Sequence, residues 1–569
     1  MKTVFAIVLT LSMLFGIMTG CGSSQEPVTP PDGSASQGGT VVESGTDSGI
    51  PKHLAEIGYQ PTGYPVVTKP ITFTLAGITN PVYLGTAEDW KKNKFWIRME
   101  EMTNVKFDFI KVISPEAWEE QKSIMMASQD LPDVFFQCKF SKQEEQKFGG
   151  QGLLMDIKPY ITEEYIPNLV ALDKQYPGLL KEITTPTGAI YSLPEITALL
   201  PKRAAENITV NKTWCKILGI DLPTDTESFY QMLKAFKTGD PNQNGKPDEI
   251  PMCVAGMSQL KFFTTMFGYI YGENGMFADD ENQNIIYVPT TPEYKEYLKY
   301  FQKLYAEGLM DPDTFALTTN DVKAKGSAKD PLLGVIYTRS ARTVVDGLSQ
   351  LHPDGDIGNV DHIRLNDYEY VVLKAANGKQ YCPANSNLAT TGRCVVTSKC
   401  KYPEVFMRWM DYLYTQEGGT AVWMGREGKE FKIEDGVLKW LNEDGTVASD
   451  DKMLDIRKKA AIQMGGNQPG LRPDVVLKME LELVRMQEVV SDYIRPAMPS
   501  FYFEDSQVSE LTALTADLNP YIEQFAANAI TGNIDIDKEW DTFQNTIQQM
   551  GGERLRLIYQ ACLDRYMGK

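Results

Sequence analysis

Hydrophobic and polar positions alternate in two periods along this chain, and the periods trade places in a regular order. Ile71–Ala76 (ITFTLA) reads at period two as a strand, and 87–102 carries Trp90, Phe95, Ile97 and Met99 at helical spacing. Val105–Ile110 (VKFDFI) is again a strand, 115–127 is helical with Pro115 in its first turn, and Pro132–Phe136 is a short buried strand. This β-α-β-α-β beginning predicts a doubly wound α/β lobe. Further helices are predicted at 226–237, 292–307, 403–415, 475–490, 509–527 and 537–550. No internal repeat is visible.

Ahead of this body the pattern is different. Val4–Ile17 is one apolar run behind a single lysine, too short to span a bilayer, and Met18-Thr-Gly-Cys21 closes it with small residues. The apolar-x-Gly-Cys ending resembles the lipobox of bacterial lipoproteins. That resemblance implies a signal peptide at 1–20, lipidation of Cys21, and a membrane anchor worth ~0.8 kcal/mol per buried methylene. Residues 22–52 are rich in Ser, Gly and Pro and nearly empty of large apolar side chains, so they cannot offset the entropy of ordering. A flexible tether over 21–64 is predicted, its ~40 residues spanning roughly 35 Å.

Composition narrows the function. The remaining body, about 500 residues, exceeds the size at which one core keeps growing, so at least two lobes are expected. A formal net charge of −19 repels phosphate backbones, which argues against nucleic acid as a partner and mildly against polyuronate cargo. Only His53, His352 and His362 are present, too few for a His-rich metal site, and all three read as loop residues. Beyond Cys21 the seven cysteines (138, 215, 253, 382, 394, 400 and 562) are odd in number and contain no CxxC pair, so buried free thiols are expected, with Cys394–Cys400 the one conceivable bridge.

The sharpest motif is Asp240-Pro-Asn242-Gln-Asn244-Gly245-Lys246-Pro-Asp248-Glu249. Oxygen side chains at positions one, three and five, a glycine at six and carboxylates at nine and ten suit Ca²⁺, which takes six to eight oxygens at ~2.4 Å. Pro251 stands where an EF-hand has its bidentate glutamate, so Glu249 is the substitute carboxylate. The role expected is structural, and an ordinary Asx-rich turn is the alternative.

Several segments, in order, carry a family resemblance: Leu131-Pro-Asp-Val, Gly152–Ile157, Gly188–Pro194, Asn211–Gly219, Tyr305–Met310, Trp409–Leu413, Gly425–Gly428, Ile530–Gly532, Trp540-Asp541 and Tyr559–Tyr566. Together they resemble family 1 extracellular solute-binding proteins, the group of the maltodextrin- and alginate-oligosaccharide-binding proteins, in its lipoprotein subgroup. One departure is Asn211-Lys-Thr-Trp214, where that subgroup often has Arg-x-Asp-Trp. The resemblance implies an α/β, two-lobed periplasmic-binding-protein-like fold of type II with a three-segment hinge near 196–206, 374–384 and 426–430. The first lobe would hold 65–200 and 380–427, the second 201–379 and 428–569. It also implies a Ca²⁺ loop in which Lys246 lends its carbonyl, and ligand contacts from Gln137, Tyr191, Glu195, Phe262, Arg339, Trp423 and Tyr502. Aromatic rings in such a cleft stack on sugar C–H faces, although an aromatic in a chain with 27 Tyr, 24 Phe and 8 Trp is more often a core residue.

The function implied is capture of an oligosaccharide on the extracellular face of a bacterial membrane of Gram-positive type, and its delivery by a monomer to the permease of an ABC importer, with no catalytic step. Two alternatives stay open on the residues alone. One is a secreted glycan hydrolase, since two carboxylates at ~5 or ~6.5–9.5 Å could be hidden among 75 acidic residues. The other is a peptide-binding or sensor subunit on the same fold.

Overall fold

The computed structural model describes residues 49–79, 86–196, 206–271, 276–339, 341–345, 367–384, 387–434, 437–449, 452–462 and 488–569. The signal peptide, Cys21, tether residues 21–48, His352, His362, residues 197–205 of the first crossing and nearly all of the helix expected at 475–490 lie outside them; the tether expected as far as 64 ends sooner, because Leu54, Ile57 and Tyr59 are buried. His53–Lys569 forms one compact unit, apart from Met1–Lys52.

Within that unit two sheets organise two lobes. The first has the order β2-β1-β3-β12-β4, with β1 Ile71–Ile78, β2 Val105–Ile113, β3 Val134–Phe136, β4 Ser192–Ile196 and β12 Ala389–Val396. β2, β1 and β3 run parallel, whereas β12 is antiparallel to both β3 and β4. The second has the order β10-β5-β9-β6, with β5 Asn207–Asn211, β6 Ile250–Met252, β9 Leu333–Thr338 and β10 Tyr368–Tyr370. Its central strand β9 (LGVIYT) is buried at every position, as its unbroken apolar run requires. Three two-stranded pieces complete the set: β7 Phe277–Asp279 with β8 Ile285–Tyr287, β11 Cys382–Ala384 with β15 Ile494–Pro496, and β13 Phe431–Glu434 with β14 Val437–Trp440.

The chain moves from the first sheet to the second between β4 and β5 and back between β10 and β12. The helix Pro403–Leu413 then fills the first lobe, buried on every side, with Trp409 stacked on Trp96 at 5.6 Å. The second lobe has the larger core. There the helix Pro292–Ala306 and the C-terminal helices Asp505–Ile530, Ile536–Gln549 and Gly552–Met567 pack around Val210, Tyr297 and Val335.

Several sequence expectations need correction. The helix expected over 87–102 is two helices, Ala87–Lys92 and Lys94–Thr103, because Asn93 adopts an extended backbone and caps both. Its Oδ1 accepts from the Phe95 amide at 2.8 Å, and its Nδ2 donates to the carbonyls of Lys458 and Ala461 at 2.9 and 3.0 Å. The helix expected from Pro115 starts at Trp118, and that expected over 509–527 runs from Asp505 to Ile530. The hairpin β13–β14 and the helix Met453–Ala460, assigned by sequence to the second lobe, are tied to the first instead. Their small core includes Met424, the Ile462 amide donates to Val422, and Asn93 holds the end of the helix. All seven described cysteines are free and buried, and Cys394 and Cys400 do not pair.

Candidate functional site

In open α/β lobes the chain beyond the carboxyl ends of the strands lines the ligand site. On the first lobe this places Gln137 directly after β3. It holds a left-handed backbone at φ 56° and is 2% exposed. Its Nε2 donates to the Ile462 carbonyl, and its Oε1 is buried without a partner among the described residues. Ile462 is bonded in turn to Val422, so Gln137 and Trp423 come into one neighbourhood. Trp423 is half-buried, and its indole N–H is also without a partner there. Tyr191 is half-buried, its ring lying over Gly149 so closely that a Cβ there would sit 2.2 Å from it. Glu195 is buried in β4 opposite Thr390.

On the second lobe Phe262 lies in the 3₁₀ turn Lys261–Phe267 and stacks parallel on Tyr337 of β9, centroids 5.4 Å apart. Arg339, exposed, follows β9. Asn207 pairs with Thr338, so Glu206 and Arg339 are the next pair outward. Burial raises the Glu206 carboxyl above its usual range, and the Arg339 charge pulls it back. Tyr337 and Glu206 were not among the residues expected from sequence. Tyr337 sits in a recognisable strand, but its stacking partner is 75 residues away, and nothing local marks Glu206.

Tyr502 needs a correction. It is 6% exposed, its hydroxyl donates to the buried Glu145, and the Lys142 ammonium lies 4.8 Å from its ring. Its hydroxyl is bonded to one first-lobe group and its ring meets the ammonium of another, so in this structure it is a buried tie between lobes and not an open sugar platform.

No protein-family model matches the chain. Among curated proteins it is similar to the fructooligosaccharide ABC transporter substrate-binding protein FusA of Streptococcus pneumoniae, 26% identical over 493 residues, covering 82% of this chain and 86% of that protein. It is also similar to lipoprotein LipO of Bacillus subtilis, 27% identical over 345 residues, covering 58% and 62%. The polygalacturonan/rhamnogalacturonan-binding protein YtcQ of the same organism is 25% identical over 218 residues, 38% of this chain and 41% of that one. Along most of its length the chain is therefore similar to a substrate-binding protein of an ABC transporter. Its fold agrees with solved solute-binding proteins. FusA in complex with kestose matches at TM-score 0.68 and 23% identity, over 87% of this chain and 99% of that one. An HMO-binding solute-binding protein from Bifidobacterium longum infantis matches at 0.70 and 22%, over 88% and 99%. Alginate-binding AlgQ2 without calcium ion matches at 0.63 and 20%, over 88% and 100%.

The loop at 240–249 follows the helix Thr226–Thr238 and folds on itself. Asp240, at φ 47°, accepts the amides of Asn244 and Gly245 at 3.1 Å, and Asn244 Oδ1 accepts the Lys246 amide at 2.8 Å. Asn242 and Asn244 turn their Nδ2 groups to the Asp248 carboxylate at 2.9–3.1 Å, and these bonds, Asn242 foremost, hold its carboxyl below the usual range. Glu249 is shifted the other way by burial, and its Oε1 is buried without a partner among the described residues. No group of three or more His, Cys, Asp and Glu side chains is gathered for a metal among the described residues. The donor chemistry nonetheless fits a hard cation: every candidate is an oxygen, one carboxylate oxygen is unmatched, and turning either amide about χ2 exchanges its nitrogen for oxygen.

Proposed function

We propose that this protein is a lipid-anchored binding protein on the extracellular face of the membrane that captures an oligosaccharide and presents it to the permease of an ABC importer. The observation that carries this reading is the similarity to FusA along 82% of the chain, through both lobes. The groups on the lobe walls agree with it. Trp423, half-buried next to the Gln137 neighbourhood, stands on one side, and Phe262 backed by Tyr337 offers an aromatic face on the other. Arg339 and Glu206 stand at the second-lobe rim, with Tyr191 and Glu195 on the first-lobe strand that leads to the crossing.

Capture is binding alone in this reading, and the bound sugar leaves unchanged. Lobe closure about the crossings buries it, and aromatic stacking with paired hydroxyl bonds supplies the affinity. Cys21 carries the anchor, and the monomer searches the space above the membrane on its tether. One Ca²⁺ is held by Asp240, Asn242, Asn244, Asp248, Glu249 and the Lys246 carbonyl. It cross-links the loop after the helix Thr226–Thr238 and takes no part in sugar recognition.

Calorimetric titration of the purified protein with neutral, amino and acidic oligosaccharides, followed by chromatography of the recovered sugar, tests the proposal. Saturable binding with intact sugar is the expected result. Shorter fragments in the recovered material would establish a hydrolase instead.

A further inference from the structure

The segment 498–503 and the C-terminal helix Gly552–Met567 belong to the second-lobe core, where Met498, Phe501, Phe503, Leu555 and Tyr559 pack with Val210 and Val335. Two tyrosines of these segments reach across to the first lobe. Tyr502 donates to Glu145, in the helix Lys142–Gly150, and Tyr566 donates to Glu182 at 3.2 Å. Glu145 is fully buried and also accepts from Thr391 Oγ1 of β12 at 2.7 and 2.9 Å. Glu182 is 6% exposed, and its other oxygen accepts the amides of Leu388 and Ala389 at 2.7 and 3.2 Å. Those amides are where the chain, returning from the second sheet, begins β12. One carboxylate therefore grips the crossing strand with one oxygen and the second lobe with the other.

Lysines reinforce the same joint. Lys142 Nζ donates to the carbonyls of Glu182 and Ser500 at 3.1 and 2.9 Å, and Lys181 Nζ donates to the Tyr566 carbonyl. Beside these bonds is a cavity of about 180 Å³ lined from both lobes, by Glu182 and Thr185 on one side and Tyr502, Cys562 and Tyr566 on the other. The joint is thus incompletely packed. Close-packed side chains resist shear in a core, and where packing is open the directional bonds set the geometry.

We propose that Tyr502–Glu145 and Tyr566–Glu182 are the pivot of the hinge: positioning residues that fix the angle between the lobes and are kept in both open and closed forms. Bonds beside a crossing strand move least when the lobes rotate, so they restrict the rotation without opposing it. Losing the Tyr566 hydroxyl takes the tyrosine donor from one Glu182 oxygen and frees the second lobe from the crossing strand, and losing the Tyr502 hydroxyl leaves Glu145 bonded to first-lobe groups such as Thr391. More angles are then populated, and apparent affinity falls by the fraction that remains competent. The inference rests on the two-lobe binding reading above, but its structural half is measurable without a ligand.

The test uses the full chain carrying Tyr502→Phe and Tyr566→Phe together, with Tyr566→Phe alone as the milder variant. The probe is kestose, with small-angle scattering and amide exchange on the unliganded protein. We expect a larger radius of gyration, faster exchange at Leu388 and Ala389, and kestose affinity about 5-fold weaker in the double variant. With both tyrosines in place, Glu145→Gln with Glu182→Gln should keep all three within about 2-fold of wild type, because a tyrosine or threonine hydroxyl can accept from the new amide as readily as it donates to the old carboxylate. Unchanged scattering and exchange in both tyrosine variants would overturn the pivot. Weakened kestose binding with unchanged scattering would overturn it too, and return Tyr502 to the ligand site. Should the wild type fail to bind kestose, that ligand assignment falls, while scattering and exchange still decide the pivot.

Discussion

Glu206 stands opposite Arg339 where β5 begins and β9 ends, one register step beyond the pair Asn207–Thr338. The arginine nearest the second-lobe rim thus faces a carboxylate of its own chain, and the whole protein carries −19. A uronate entering here would compete with Glu206 for Arg339 and meet a repulsive field. Neutral oligosaccharides such as kestose should therefore bind at least about 10-fold more tightly than galacturonate oligomers of equal length, a difference near 1.4 kcal/mol. Glu206→Gln should narrow the gap. Calorimetry with both sugars at two ionic strengths checks it, and tighter binding of the galacturonate by the wild type would refute the charge argument.

Calcium at the 240–249 loop should be visible as thermal stability. An ion that binds only the folded state stabilises it by RT ln(1 + [L]/Kd), about 2.7 kcal/mol at a hundredfold excess over Kd. Chelator should lower Tm, added Ca²⁺ should restore it, and Asp240→Ala should abolish the response while kestose affinity stays unchanged. Melting curves indifferent to chelator would leave an Asx-rich turn.

Lys122 is a nearly fully buried lysine, with Nζ 2.7 Å from Glu144, 2.8 Å from Glu119 and 3.2 Å from the Lys139 carbonyl. It joins the helix Trp118–Ser128 to the helix Lys142–Gly150. Lys122→Ala should cost about 2–4 kcal/mol, because it removes the pair and leaves a cavity beside Trp118 and Phe140. Both carboxylates keep some access to water, which places the loss below that of a fully buried pair. Chemical denaturation measures it, and a change under about 1 kcal/mol would mark the ammonium as incidental.

Burial raises the Glu145 carboxyl above its usual range, against hydrogen bonds from Tyr502, Thr391 and Ser192 and the nearby Lys142 charge. An acid with a raised folded pKa binds its proton more tightly in the native state. Its ionised form therefore costs stability above that pKa, and the cost is relieved as pH falls toward the unfolded value near 4.5. Glu145→Gln should be most favourable relative to wild type at pH 7, with the advantage shrinking toward pH 5. Denaturation of both proteins across this range checks the sign, and a pH-independent difference would mean that Glu145 does not titrate there.

Cys21→Ala should release the protein to the medium or stall its processing, since a single cysteine carries the proposed anchor. Fractionation of cells expressing each form reads this directly. Undiminished membrane retention of the variant would remove the lipid from the account.

Much of the fold was legible because it is written in local periodicity. The strand at Ile71, the strand at Val105 and the helix from Pro403 follow from apolar spacing that any window of the chain reveals. The Asp240–Glu249 pattern is local as well, six positions within ten residues, and so are the run before Cys21 and the polar tether. Other features depend on residues distant in sequence. Asn93 breaks a predicted helix because its amide finds carbonyls at Lys458 and Ala461, over 360 residues on. The hairpin after Gly428 joins the first lobe because Met424 and Asn93 hold it there, a choice its own alternation does not encode. Tyr502 looked like a cleft aromatic, since an exposed platform and a buried tie share one local pattern; Glu145, 357 residues earlier, decides between them. Tertiary structure alone assigns such partners, because a hydrogen bond or a stacked ring depends on distance in space and leaves no period in the chain.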